Sequence, residues 1–144
     1  MYTRKGEIVL REMLNEFRIL YLTGPRQAGK TTLARKIADD TKMQYVSLDD
    51  QTAFASAQYD PHGFIDSFKN RPVVLDEFQY APELIKAIKL ASDLLPENKR
   101  GQFFLTGSAD ILNLPEHRKH CQGIWLEWNC IHCLSLKKQI AILI

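Results

Sequence analysis

The feature that most constrains the fold is a stretch of nine residues with two glycines, a lysine and two threonines. It reads Gly24-Pro25-Arg26-Gln27-Ala28-Gly29-Lys30-Thr31-Thr32. An apolar run at 19–22 precedes it, and a segment at 31–39 with helical spacing of apolar residues follows it. Strand, glycine loop and helix in this order are typical of a P-loop, in which backbone N–H groups surround phosphates. The stretch therefore predicts an α/β fold with a phosphate-binding loop.

The residue types in this loop match the chemistry of a nucleotide and its metal ion. Lys30 is expected to reach the β- and γ-phosphates of ATP, and the Thr31 hydroxyl to hold Mg²⁺. A side chain at Gly29 would keep the backbone away from the phosphates, and the following helix directs its positive amino end at the anion. Arg26 has two interpretations: it contacts a phosphate, or it is an exposed loop residue.

A second acidic element lies downstream, where the apolar segment 73–75 ends in Asp76 and Glu77. Taken alone, an acidic pair after a strand is most often solvated. After a P-loop and a crossover, the pair predicts that Asp76 holds Mg²⁺, directly or through water. Glu77 is then expected to orient and deprotonate the attacking water.

Further strands and helices alternate along the chain. Strands are expected at 45–48 and 102–106, and helices at 8–17, at 60–68 and from Pro82 onward. The strands end in polar residues, which predicts a parallel sheet flanked by helices with a ligand crevice along its carboxyl edge.

Several polar residues at these strand ends have two possible roles each. Thr106 and Ser108 either contact the γ-phosphate or its water, or form a turn with local hydroxyl bonds. Asp49 and Asp50 either support magnesium or are solvated. Gln79 either reports nucleotide state to the helix that follows or caps that region.

Composition excludes other classes of protein. The chain has 144 residues, enough for one core, and its 45% hydrophobic and 25% charged residues are ordinary for a globular protein. No apolar run is long enough to cross a bilayer, and the start lacks a signal-peptide pattern. A net charge of +2 offers no large field for nucleic acid. We therefore expect a cytoplasmic protein with no membrane partner, and its charge gives no direct evidence for a nucleic-acid partner.

Taken together, the motifs resemble a prokaryotic family of AAA-type ATPases whose nucleotide domain precedes a nuclease-like domain of poorly defined function. The resemblance covers residues 1 to about 114. It rests on the P-loop and on five further motifs: Leu48-Asp49-Asp50, Asp60-Pro61, Asp76-Glu77-Phe78-Gln79, Pro82-Glu83-Leu84 and Leu105-Thr106-Gly107-Ser108. The resemblance implies Lys30 and Thr31 at phosphates and metal, Asp76 and Glu77 as Walker B carboxylates, and Thr106 or Ser108 as sensor.

Beyond Leu114 the family pattern stops. Family members continue with a small Leu-Ala-Gly-Arg box and a fifth strand, so the sheet is expected to lack its last strand. The strand before the P-loop would then have an open edge, prone to aggregation. A missing strand and a missing trans-acting arginine would impair hydrolysis.

The composition also changes near Pro115. All three cysteines, both tryptophans and three of the four histidines follow it. We therefore divide the chain into an ATPase domain, 1–114, and an anomalous tail, 115–144, that is out of frame or disordered. The competing interpretation is a zinc-binding interaction module, with ligands drawn from the cysteines and the neighbouring histidines: Cys121, Cys130, Cys133, His117, His120 and His132.

A frameshift from about Glu116 onward would explain this tail. If the codons are read two nucleotides later, leucine must result at three places: His120-Cys121, Asn129-Cys130 and His132-Cys133. With suitable synonymous codons, the shifted frame also encodes a segment like the missing family box. The alternative is a genuinely divergent tail. Genomic DNA distinguishes the two, because a frameshift requires an open reading frame that continues past Ile144 in the shifted frame.

Two enzymatic functions remain open for the nucleotide domain. The first is ATP hydrolysis coupled to an unknown process, with a remodelled protein or further copies of the chain as partners. The second is phosphorylation of a small molecule by a P-loop kinase. P-loop kinases usually have an arginine-rich lid, whereas the arginines of this chain are scattered. Such kinases also rarely have a Glu directly after the Walker B Asp. Phosphate release without an acceptor would favour the first.

Overall fold

The computed structural model describes residues 4–23, 29–107 and 141–143. Helices and strands alternate through most of this range, as expected. In chain order they are α1 (Arg4–Glu16), β1 (Ile19–Thr23), α2 (Lys30–Thr41), β2 (Gln44–Ser47), α3 (Gln51–Tyr59), α4 (Pro61–Asp66), β3 (Val73–Asp76), a 3-10 turn (Phe78–Tyr80), α5 (Leu84–Asp93), β4 (Phe103–Gly107) and β5 (Ala141–Leu143). Within the described ranges, no helix is both long and apolar enough to span a bilayer.

The strands form one sheet in the order β2-β3-β4-β1-β5. The first four are parallel, and their register places Ser47 of β2 beside Asp76 of β3. Because the four strands point the same way, their carboxyl ends share one edge of the sheet. The predicted α/β fold with a parallel sheet flanked by helices is confirmed.

The free edge of β1 differs from the expectation. The described residues contain no fifth parallel strand, but β5 pairs antiparallel with β1, with Ala141 opposite Tyr21 and Leu143 opposite Ile19. The prediction that this edge is open is therefore wrong. The reason is that the end of the chain supplies a strand partner for the backbone groups of β1.

Alternate residues of the buried strands face two apolar layers. On β1, Leu20 and Leu22 pack with α1 and α2, whereas Ile19 and Tyr21 face the layer of α3, α4 and α5. All five residues of β1 are buried, as expected for a central parallel strand covered on both faces. The α2 layer is the one that carries the functional side chains described below.

Helix α3 was not predicted from the sequence. It begins after Asp50, whose carboxylate accepts a hydrogen bond from the Ala53 amide at 2.9 Å. Its apolar residues give little periodicity, because Ala57 is the one fully buried position in the helix. Helix α4 does begin where expected, with Pro61 in its first turn and Asp60 capping Gly63.

Gly101 lies in the loop between α5 and β4 and packs against the end of α1. Its φ is +62°, and a Cβ added there would lie 2.8 Å from the Leu14 carbonyl oxygen. Its amide also donates to the Phe17 carbonyl at 2.8 Å, so the loop cannot easily move away. We expect Gly101→Ala to lower the free energy of unfolding by about 1–3 kcal/mol in urea denaturation. Asn98→Ala, at an exposed position of the same loop, is the control, and equal midpoints for the two variants would contradict this prediction.

Candidate functional site

The described part of the P-loop begins at Gly29, which has a φ of 83°. This left-handed conformation is one that glycine adopts without the steric cost of a Cβ. The other predicted loop residues, Gly24 to Ala28, lie outside the described residues, so the geometry of Arg26 is not described either. Helix α2 starts directly after Gly29, and its amino end is placed at the carboxyl edge of the sheet, where an anion is stabilised.

The first turn of α2 carries the three polar residues expected at the phosphates and the metal. Lys30 is only 6% exposed, Thr31 is half-buried and Thr32 is exposed. The Thr31 hydroxyl donates to the Oδ2 atom of Asp76 at 2.9 Å. The P-loop helix and the end of β3 are therefore joined by the two residues predicted to bind magnesium.

Asp76 is 2% exposed and accepts hydrogen bonds from three hydroxyl groups. Oδ2 accepts from Thr31 and, at 2.5 Å, from Tyr45 on β2. Oδ1 accepts from Thr106 on β4. A buried carboxylate is costly unless it is hydrogen-bonded, so these donors explain how the charge is accommodated.

The donor set fits Mg²⁺, which prefers oxygen ligands and usually retains several waters. One hydroxyl and one carboxylate, already in contact at the mouth of the P-loop, are ligands of that kind. Thr31 and Asp76 would hold the ion, as the sequence predicted.

Thr106 and Ser108 were expected at the γ-phosphate or in a local turn. Thr106 is fully buried, and its hydroxyl donates to the Asp76 carboxylate rather than to a neighbouring backbone group. Ser108 lies outside the described residues. A sensor role for either residue stays a prediction, and the structure places Thr106 beside the Asp76 carboxylate.

Glu77 follows Asp76 with a φ of 57°, an unusual conformation for a residue with a side chain. Its half-buried side chain accepts a hydrogen bond from the Gln79 amide. The other side of that amide approaches β4: a Cβ added to Gly107 would lie 3.0 Å from the Gln79 oxygen. The Gln79 side chain thus lies between Glu77 and the end of β4, a placement that neither of the two predicted roles for Gln79 included.

The two acidic residues after β2 do not have equal roles. Asp50 is exposed, so the solvated interpretation holds for it, and its carboxylate in addition caps α3, a role that was not considered from the sequence. Asp49 is exposed, as the solvated interpretation predicts.

Tyr45 is a hydrogen-bond partner of Asp76 that sequence reasoning missed. Burial, followed by the hydrogen bond to Asp76, raises the pKa of Tyr45 to about 12. Its hydroxyl therefore keeps its proton at neutral pH and acts as a donor to the carboxylate. The Arg35 guanidinium carbon lies 5.0 Å from the centre of the ring, which is cation–π geometry.

Tyr45 can be identified from the sequence only once β2 is paired in register with β3. Because side chains alternate along a strand, Tyr45 shares a sheet face with Ser47. Ser47 is the residue beside Asp76 once β2 and β3 are paired in register. A tyrosine two residues back is long enough to reach that carboxylate.

The fold and the first turn of α2 define a P-loop NTPase-like α/β domain. Residues 16–137 match the family described as an AAA domain, AAA_14. Because this match covers more than half of the chain, the protein belongs to that family, and it carries an ATP-binding P-loop domain. The matched range continues past Leu114 into the segment 115–144, of which the structure describes Ala141–Leu143. The cysteines and histidines of the zinc-module interpretation lie outside the described residues.

The chain is also similar to a tRNA dimethylallyltransferase from Prochlorococcus marinus (strain MIT 9313). The two are 32% identical over an alignment 106 residues long, which covers 65% of this chain and 33% of that protein. The chain thus spans about a third of the length of this relative.

Proposed function

We propose that the domain binds ATP with Mg²⁺ and hydrolyses it to ADP and phosphate. The observation that supports this most is the contact of 2.9 Å between the Thr31 hydroxyl and Asp76, beside the buried Lys30. Here a hydroxyl and a carboxylate are in contact at the amino end of a helix whose first residue is a buried lysine. These groups are suited to a nucleoside triphosphate and its metal ion.

Each residue has one task in the proposed reaction. Lys30 binds the β- and γ-phosphates, and Thr31 and Asp76 hold Mg²⁺, which when bound neutralises charge on the phosphate oxygens. Glu77 orients a water and accepts its proton as the water oxygen bonds to the γ-phosphorus. The bond from that phosphorus to the bridging oxygen breaks, and the oxygen leaves with ADP.

For this role, the Glu77 carboxylate must be able to accept a hydrogen bond from that water. Its carboxylate is bonded to Gln79 in this structure, which leaves the second carboxylate oxygen for a further donor. General bases are often imperfectly aligned before substrate binds, so this arrangement is compatible with the proposed role.

The likeness to a transferase favours a second candidate function. The name of that relative denotes transfer of a dimethylallyl group to tRNA. A P-loop can bind the phosphates of a donor in group transfer as well as in hydrolysis, and the small-molecule kinase considered above is also a transferase.

Phosphate release distinguishes these candidates. Purified chain is incubated with Mg-ATP and no acceptor, and phosphate and ADP are measured over time. We expect equal amounts of both products. If ATP binds and no phosphate is released, but ADP forms together with a phosphorylated product once a hydroxyl acceptor is added, the transferase interpretation replaces hydrolysis.

A further inference from the structure

The carboxylate of Asp76 is held from both sides by the strands that flank it. β3 lies between β2 and β4 in the sheet. Tyr45 on β2 donates to Oδ2 at 2.5 Å, and Thr106 on β4 donates to Oδ1. With one donor on each oxygen from opposite directions, the plane of the carboxylate is fixed.

The third donor, Thr31, approaches from a different element. It lies on α2, and its hydroxyl shares Oδ2 with Tyr45. An ionised carboxylate offers about four lone-pair positions, and three hydroxyls occupy three of them here. The remaining position would serve the metal ion, directly or through a water, provided that the carboxylate does not rotate.

The ring of Tyr45 is itself held in place. Arg35, an exposed residue of α2, has its guanidinium carbon 5.0 Å from the ring centre. Tyr45 also packs against the apolar layer formed by α1 and α2. The hydroxyl thus reaches Asp76 from a ring supported on two sides.

We propose that Tyr45 is a positioning residue that sets the affinity for Mg-ATP, and not the affinity for ATP alone, by fixing the Asp76 carboxylate. This inference rests on the proposed function of the site. Hydrogen bonds to a metal-binding carboxylate tune the binding of the metal, and losing one typically weakens it by about 10- to 100-fold. Phosphate binding by Lys30 and the P-loop does not use Tyr45, so ATP without metal should bind equally well in its absence.

Tyr45→Phe tests this inference, because it removes the hydroxyl and retains the ring. Calorimetric titration with ATP is done twice for each protein, once with Mg²⁺ and once with EDTA. We expect Tyr45→Phe to weaken Mg-ATP binding about tenfold and to leave ATP binding in EDTA unchanged. Tyr59→Phe, the same chemical change at a side chain that is 92% exposed, is the control and should alter neither.

Each other outcome has a definite meaning. Equal losses with and without Mg²⁺ would show a general structural role and overturn the inference, as would unchanged or tighter Mg-ATP binding. If Tyr45→Phe does not fold by circular dichroism, Arg35→Met takes its place. That variant should give a smaller loss confined to Mg-ATP, and no loss would overturn the inference. A parent chain that binds neither form of ATP would overturn the proposed function, and this inference with it.

Discussion

Replacing Lys30 with alanine is expected to abolish the rise in melting temperature that Mg-ATP gives the parent chain. At a hundred times its dissociation constant, a ligand stabilises the folded state by about 2.7 kcal/mol. Lys30 is 6% exposed at the amino end of α2, where its charge would meet the β- and γ-phosphates in a site sheltered from water. Removing it should therefore cost most of the affinity.

The comparison is made within each variant, with and without Mg-ATP, because Lys30→Ala can also change the stability of the free protein. Lys86→Ala, at an exposed position of α5, is the matched control and should keep the full shift. An undiminished shift in Lys30→Ala would show that ATP binds elsewhere.

Replacing Glu77 with glutamine is expected to lower ATP turnover by at least about 10²-fold while Mg-ATP still binds. Loss of a general base typically costs 10²- to 10⁴-fold. Glutamine has the same shape and can still accept the hydrogen bond that Gln79 donates to Glu77, so the local structure should persist. Two quantities are measured: the steady-state rate of phosphate release, and the rise in melting temperature with Mg-ATP.

Glu97→Gln provides the control, since Glu97 is exposed in the loop before β4. A Glu77→Gln chain that turns over ATP as fast as the parent would show that Glu77 is not the base. A variant that loses the thermal shift as well would indicate a role in binding instead.

The P-loop and the acidic pair could be recognised from sequence because their chemistry requires local patterns. Gly29, Lys30 and Thr31 are adjacent in the chain, and Asp76 directly follows an apolar strand. Parallel strands bring their carboxyl ends to one edge, so the meeting of Thr31 and Asp76 followed from the class of fold.

The hydroxyl partners of Asp76 depend on strand register, which no local pattern contains. Tyr45 reads as an ordinary strand residue until β2 is paired with β3, and the hydrogen bond of Thr106 depends likewise on β4 lying on the other side. The pairing of β5 with β1 joins residues more than a hundred positions apart, and nothing in either segment specifies it. Contacts of this kind are long-range consequences of the sheet order.

The most direct test of an ATP site at the P-loop is calorimetric titration of the parent chain with Mg-ATP, repeated with Asp76→Asn. We expect one nucleotide to bind per chain, and the substitution to weaken Mg-ATP binding by about 10-fold or more while ATP in EDTA binds as before. A parent chain that does not bind Mg-ATP, or an Asp76→Asn variant that binds it as tightly as the parent, would contradict the site described here.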